Sequence, residues 1–140
     1  MTDFLLDTHV ALWLSKGDAR LGETTRKALD AAWKASGRIF FSAVSVWEIA
    51  MLVEKEAIEL DLPVDAWVKR FLDRPGLVGV PLDHSAAARA YSLHHLEHRD
   101  PADRLLIASA ICLECPLVTH DDRIRRFART RGRQYGFSIL

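Results

Sequence analysis

Five short apolar runs with β-branched or aromatic content recur along the chain: FLL before Asp7, RIFFSA at 38–43, LVGVPL at 77–82, PLVTH at 116–120 and FSIL at the C-terminal end. Each reads as a strand. Helical patterns fill the spaces between them, and strands that alternate with helices imply a mostly parallel sheet covered on both faces. The expected fold class is therefore an α/β sandwich. No linker, repeat or low-complexity segment interrupts the pattern, so residues 1–140 are read as one domain, and a chain of this length buries a real core.

The helical stretches carry their own punctuation. THVALWLSKG starts a short helix. GETTRKALDAAWKASG is amphipathic, with Ala28, Leu29, Ala32 and Trp33 on one face and Gly37 where a helix would stop. SVWEIAMLVEKEAI is the next. LPVDAWVKRFLDRPG has Pro63 at its first turn and Pro75-Gly76 as terminator. A further helix is expected from about Ser85 to Leu96, and a long apolar helix follows Pro101.

At 49% hydrophobic and 27% charged, the composition is that of a soluble globular protein. No apolar run approaches the roughly 18 residues of a membrane span. The opening MTDFLLDTHV has an acid where a signal peptide carries a basic region, so a cytoplasmic location is expected. Formal net charge is zero, which argues against a protein that coats nucleic acid. The charge is unevenly spread, however: RIRRFARTRGR gathers six arginines between Arg123 and Arg133 with no acid among them, a surface of the kind that holds phosphates or a solvated helix face. Cys112 and Cys115 lack the companions of a zinc or redox motif and read as two buried thiols.

The acids constrain the chemistry. Asp7 ends the first strand, and Asp121 comes after PLVT, so both belong to the carboxyl edge of a parallel sheet, where ligands bind. Glu48 reads as a first-turn residue of its helix, and Asp100 and Asp103 flank the start of theirs. A helix that directly follows a strand starts on that edge, which covers Glu48; the Asp100 helix follows another helix, and its placement does not come from the same rule. Carboxylates brought within a few ångströms repel unless protonated or neutralised by a cation. Oxygen-only donors favour Mg²⁺ or Mn²⁺ over Zn²⁺, and such an ion implies phosphoester hydrolysis.

Several of these acids also have a purely structural explanation, although Asp7, an acid that ends an apolar strand and is followed by Thr, is poor strand material and harder to explain that way. Ser45-x-x-Glu48 has capping-box spacing, Asp100-Pro101 reads as an N-cap with proline at the first helical position, and Asp121-Asp122 reads as the cap of the arginine helix. His94, His95 and His98 cluster at a helix end as a solvated surface. His9 and His120 lie beside the acids and are assigned no role. Trp13, Trp33, Trp47 and Trp67 read as core or interface anchors, with Trp13 and Trp47 as candidates for a dimer face.

Four segments, LLDTHVALWLS, FSAVSVWEIA, HRDPADRLLIASA and LVTHDDRI, stand in the order and at about the spacing of PIN-domain ribonucleases of the VapC toxin type, and the chain resembles that family. The resemblance covers essentially the whole chain. It implies a three-layer α/β/α sandwich, metal-dependent endoribonuclease activity, a homodimer and a cognate antitoxin that blocks the cleft. It places the family's metal-binding acids on Asp7, Glu48, Asp103 and Asp121, with Asp100 as a further acid. Thr8 and Thr119 match supporting hydroxyl positions, and Ser45 is a further candidate.

Residues and resemblance together give one expected mechanism. Asp7, Asp103 and Asp121 hold an Mg²⁺ or Mn²⁺, and Glu48 and Asp100 ligate through water or complete a second site. A metal-activated water hydrolyses the RNA phosphodiester, leaving a 5′-phosphate and a 3′-hydroxyl. Arg123, Arg125, Arg126 and Arg129 are candidates to hold the RNA backbone or to grip an acidic antitoxin tail. A haloacid-dehalogenase-like phosphatase needs a second acid where His9 stands, and a receiver-type module needs a lysine that LVTHDD does not offer. A catalytically inactive PIN-like binding module for RNA or protein stays open as the alternative.

Overall fold

A computed structural model describes residues 2–97 and 99–140. The first strand, β1 (Phe4–Leu6), leads directly into α1 (Thr8–Lys16), a 3₁₀ turn at Ala19–Leu21 and α2 (Glu23–Lys34). Then come β2 (Ile39–Ser42), α3 (Ala43–Glu54), α4 (Val64–Leu72) and β3 (Leu77–Val80). The chain continues through α5 (His84–Arg89), a 3₁₀ turn at Ala90–Ser92, α6 (Pro101–Leu113), β4 (Leu117–Val118) and α7 (Asp122–Tyr135).

The four strands form one sheet in the order β3-β2-β1-β4, every pair parallel. Side chains alternate across it, as strand geometry requires. Leu5, Phe40 and Leu117 join a core with Leu106 and Ile107 of α6 and with Ile124 and Phe127 of α7. Phe4, Leu6, Ile39, Phe41 and Val118 face the opposite way, onto Val10, Leu29, Trp67 and Phe71. The molecule is thus a three-layer α/β/α sandwich with a fully parallel sheet among the described residues. No helix among them is long and apolar enough to cross a membrane.

Several elements differ from the sequence reading. FSIL forms only a single bridge, Leu117 to Ile139, because the chain there is occupied in closing α7: Phe137 N donates to Gly132 O at 2.8 Å. The helix expected to run to Leu96 stops at Arg89. Ala86, Ala90, Leu93 and Leu96 are buried at near-helical spacing, yet the carbonyls of Ala90, Leu93 and Leu96 all accept from the Arg104 guanidinium of α6. That side chain replaces the helix hydrogen bonds. Trp33 is 46% exposed and not part of its helix's buried face, Cys112 is only half-buried, and Cys115 is buried. Of the histidine cluster, His94 and His95 are exposed; His98 lies outside the described residues.

The short connection from α6 to β4 fixes where Asp100 stands. Only residues 114–116 separate the two elements, so the helix must end at the edge where β4 begins. Its 13 residues, about 20 Å at 1.5 Å each, carry its N-terminus back to the carboxyl edge.

Gly132, buried inside α7, gives this fold a sign test. Helix propensity says that alanine there gains about 1 kcal/mol. A Cβ would stand 2.5 Å from the Phe137 carbonyl oxygen, backbone that cannot turn aside. Gly132→Ala is therefore expected to lower stability, by about 1–3 kcal/mol, in urea denaturation; a gain in stability would contradict this packing of the C-terminal segment.

Candidate active site

β1 and β4 are neighbours although they lie at opposite ends of the sequence. The chain builds outward from β1 through β2 to β3 and then returns to the other side of β1, so the junction of β1 with β4 is the sheet's topological switch point, where open parallel sheets bind ligands. Asp7 and Asp121 lie just beyond those two strands.

Asp7 completes the sheet and begins a helix at once. Its backbone N donates to Val118 O at 2.9 Å, and its side chain caps α1, Oδ1 accepting from Thr8 N at 2.8 Å. Oδ2 accepts from the Thr119 hydroxyl at 2.6 Å, and the Thr119 oxygen accepts in turn from Asp121 N at 3.1 Å. Asp7 is only 7% exposed, and burial raises its pKa. The bonds from Thr119 and Thr8 and the charge of His9 oppose that rise, whereas the charge of Asp121 adds to it.

Glu48 reaches the same place from α3. The cap of α3 is Ser42, the last residue of β2, whose hydroxyl accepts from Val44 N at 3.0 Å. Glu48 therefore lies in the second turn, and Ser45 is not the N-cap that its spacing to Glu48 suggested. Ser45 instead shares a 2.9 Å hydrogen bond with the Thr8 hydroxyl, both residues being fully buried. Glu48 is 8% exposed, and desolvation raises its pKa; the Thr8 hydroxyl and His9 oppose the rise, and Asp100 and Asp7 reinforce it.

Asp100 is the N-cap of α6, with Pro101 at the first helical position as read from the sequence. Its Oδ1 accepts from Ala102 N at 2.9 Å and Asp103 N at 3.2 Å. Asp103, buried in the first turn, Asp100 and Glu48 each offer a carboxylate oxygen within 4.8 Å of the others. Asp121 caps α7, its Oδ1 accepting from Arg123 N at 2.8 Å and Ile124 N at 3.1 Å, and the Arg123 guanidinium stands 3.8 Å from Oδ2.

The structure thus draws Glu48, Asp100 and Asp103 into one group. It sets Asp7 and Asp121 beside that group, joined to each other through Thr119. The donor chemistry suits a hard divalent ion. Two oxygens bound to one octahedral ion at 2.0–2.1 Å are at most roughly 4 Å apart, so small side-chain movements close the group. A cation also relieves the desolvation and mutual repulsion that raise the pKa of Asp7 and Glu48.

The arginines of α7 divide. Arg123, Arg126 and Arg129 are exposed, whereas Arg125 is half-buried and donates to His120 Nδ1 at 2.6 Å. Since arginine can only donate, Nδ1 accepts, and the Nε2 hydrogen goes to Leu21 O at 2.8 Å. The His120 ring lies 5.6 Å from that of Trp13, so Trp13 belongs to this packed cluster, while Trp47 is 57% exposed. Arg99, Arg104 and Tyr91, adjacent to the acids or to the loop that leads to them, were not singled out by sequence; only the position of Arg99 before Asp100 marked it.

Comparison with known proteins agrees with this architecture. The PIN domain family profile matches residues 4–130. Ribonuclease VapC22 of Mycobacterium tuberculosis (strain ATCC 25618 / H37Rv) is 37% identical over 131 residues, covering 94% of this chain and 96% of the relative. Two solved structures share the fold. VapBC2 from Rickettsia felis bound to a DNA fragment from their promoter has a TM-score of 0.67 and 18% identity over 89% of this chain and 92% of that one. DNA-bound VapBC from Salmonella typhimurium has a TM-score of 0.67 and 21% identity over 100% and 98%. With its parallel sheet, its acids at the switch point and a family match over most of its length, this chain belongs to the PIN-domain family.

Proposed function

We infer that the chain is a divalent-metal-dependent endoribonuclease of the VapC toxin type, acting on RNA in the cytoplasm and restrained by a cognate antitoxin. The observation that carries this reading is the convergence of Glu48, Asp100 and Asp103 beside Asp7 and Asp121 at the switch point. Family membership and the 37% identity to a ribonuclease support it. The solved VapBC assemblies and the exposed Trp47 support a protein partner and a homodimer.

Asp7, Glu48, Asp100, Asp103 and Asp121 would hold Mg²⁺ or Mn²⁺. When bound, the ion supplies Lewis-acid chemistry for phosphodiester hydrolysis, activating water and stabilising charge on phosphate oxygens. The chain's own residues fix the stage. Thr119 and the Thr8 amide hold the Asp7 carboxylate in one orientation. Ser45 braces Thr8, whose hydroxyl favours the ionised form of Glu48. The caps at Asp100 and Asp121 engage Oδ1 of each carboxylate, so Oδ2 has no part in either cap. The arginine stretch of α7 supplies positive charge for the RNA backbone.

Purified protein incubated with total RNA in Mn²⁺ is expected to give discrete ends bearing 5′-phosphates. Asp103→Asn should lower the cleavage rate by more than about 100-fold, and Thr119→Val, which removes a supporting hydroxyl, by about 10–100-fold. Full activity in Asp103→Asn, or 2′,3′-cyclic phosphate ends, would refute the mechanism.

The raised pKa values of Asp7 and Glu48 give a second test. In the ion-free protein these groups bind protons more readily folded than unfolded, so stability falls as pH rises from their ordinary values, 3.8 and 4.5, through the raised folded values. Above that window the loss is constant. Mn²⁺ at about 100 times its dissociation constant should restore about 2.7 kcal/mol at neutral pH, and this gain should shrink as pH falls into the window. Differential scanning fluorimetry across pH reads both; a melting temperature indifferent to Mn²⁺ at neutral pH would count against the metal site.

A further inference from the structure

A groove of about 840 Å³ runs between α7 and the segment that leads into α6. Its lining includes Arg123, Arg126 and Arg131 from α7, His94 and Arg99 from the facing wall, and one acid, Glu97. The volume lies in the range of roughly 300–1,000 Å³ typical of ligand sites, but the lining is cationic where such sites are mostly apolar. Guanidiniums that share one groove repel one another, and an anion between them relieves the repulsion. Arg125, engaged by His120, is not part of the lining; the groove-facing arginines lie on another face of the helix.

Both walls of the groove begin next to acids of the cluster. One wall begins at Arg99, which precedes Asp100, and the other at Arg123, 3.8 Å from Asp121. On its far side Arg99 also lines a second hollow of about 400 Å³, shared with His94, Arg104 and Tyr91. Groove and hollow therefore adjoin, with His94 and Arg99 lining both. Tyr91 is 72% exposed, with the Arg104 guanidinium 5.8 Å from its ring centroid, and Arg104 is itself pinned by three backbone carbonyls. An open aromatic ring on a fixed support, next to a groove lined by arginines, is the combination by which proteins hold unpaired nucleotides.

We propose that the groove and hollow form the path of single-stranded RNA on one side of the scissile phosphate, with Arg99, Arg123, Arg126 and Arg131 on successive phosphates and Tyr91 stacked on a base. This rests on the ribonuclease reading and adds the residues that hold the substrate on one side of the cleavage point. Duplex RNA offers no unpaired base to Tyr91. An acidic peptide satisfies the arginines and has no use for the aromatic face, so the joint arrangement favours RNA.

The test is binding of a short labelled oligoribonucleotide of mixed sequence to the full chain in chelator, where no metal-dependent cleavage occurs, over a series of salt concentrations. Arg126→Ala with Arg131→Ala should flatten the slope of log affinity against log salt by about 1.4, roughly 0.7 for each lost phosphate contact. Tyr91→Leu should weaken binding about tenfold and leave the slope unchanged. Both changes are on exposed side chains, and circular dichroism and melting confirm the fold. Binding untouched by both substitutions overturns the proposal. So does displacement by polyglutamate that is as effective as RNA and fails equally in the variants, which would assign the groove to an acidic peptide. Cleavage in Mn²⁺ separates the two readings. Wild-type protein that binds through the groove and never cleaves removes the nuclease and keeps the groove; cleavage with a KM indifferent to the arginine substitutions removes the groove and keeps the nuclease.

Discussion

The site depends on the hydrogen bond between Thr119 and Asp7, which closes at 2.6 Å a separation of 112 residues in sequence. It exists because β4 pairs with β1 in parallel register, Leu5 with Leu117 and Leu6 with Val118, so the residues that leave the two strands emerge side by side. The strands are only three and two residues long, but all five side chains are buried, and the register is set by which of them face each core. A slip of one residue would exchange the cores and part the threonine from the aspartate.

Caps and ligands are opposed explanations of the acids at the level of sequence, and the structure makes them compatible. Asp7, Asp100 and Asp121 are all N-caps, and a carboxylate has two oxygens with about four lone-pair sites between them. Using one oxygen for the helix fixes where the other points. The helix N-termini that converge here also bring partial positive charge, worth about 0.3–1 kcal/mol per nearby anion, which offsets part of the carboxylate repulsion. Burial still dominates at Asp7 and Glu48, whose pKa values rise in spite of their hydroxyl donors.

Much of this was legible in the sequence because strand ends and helix starts are marked locally. FLL with Asp7 behind it announces both, and Asp100-Pro101 announces the start of α6. What failed was what local pattern cannot carry. Ser45 and Glu48 have capping-box spacing, but β2 passes into α3 without a loop and Ser42 takes the cap. Residues 86 to 96 keep helical spacing of buried side chains, while the carbonyls of Ala90, Leu93 and Leu96 accept from Arg104, a partner on another element. The spacing records burial, and burial does not specify which donor the backbone finds. The arrival of α6 at the carboxyl edge was within reach of sequence, since a helix feeding a parallel strand must run against it; the preceding helix was the wrong neighbour to consult.

The formal net charge of zero also needs a spatial reading. Five acids gather at the carboxyl edge of the sheet and several arginines where α7 faces the segment before α6, and the two groups meet at Asp100 with Arg99 and at Asp121 with Arg123. At a Debye length of about 8 Å in physiological salt, a phosphate entering the groove feels the nearby guanidiniums and little of the balance elsewhere. The acids would repel that same phosphate if they were bare. A divalent ion among them would offset part of that charge and offer a coordination position to a phosphate oxygen, so ion and RNA would favour each other's binding. Balanced composition is therefore no obstacle to a nucleic-acid enzyme, provided that its two signs are kept on adjacent surfaces and the negative one is offset where the phosphate must approach.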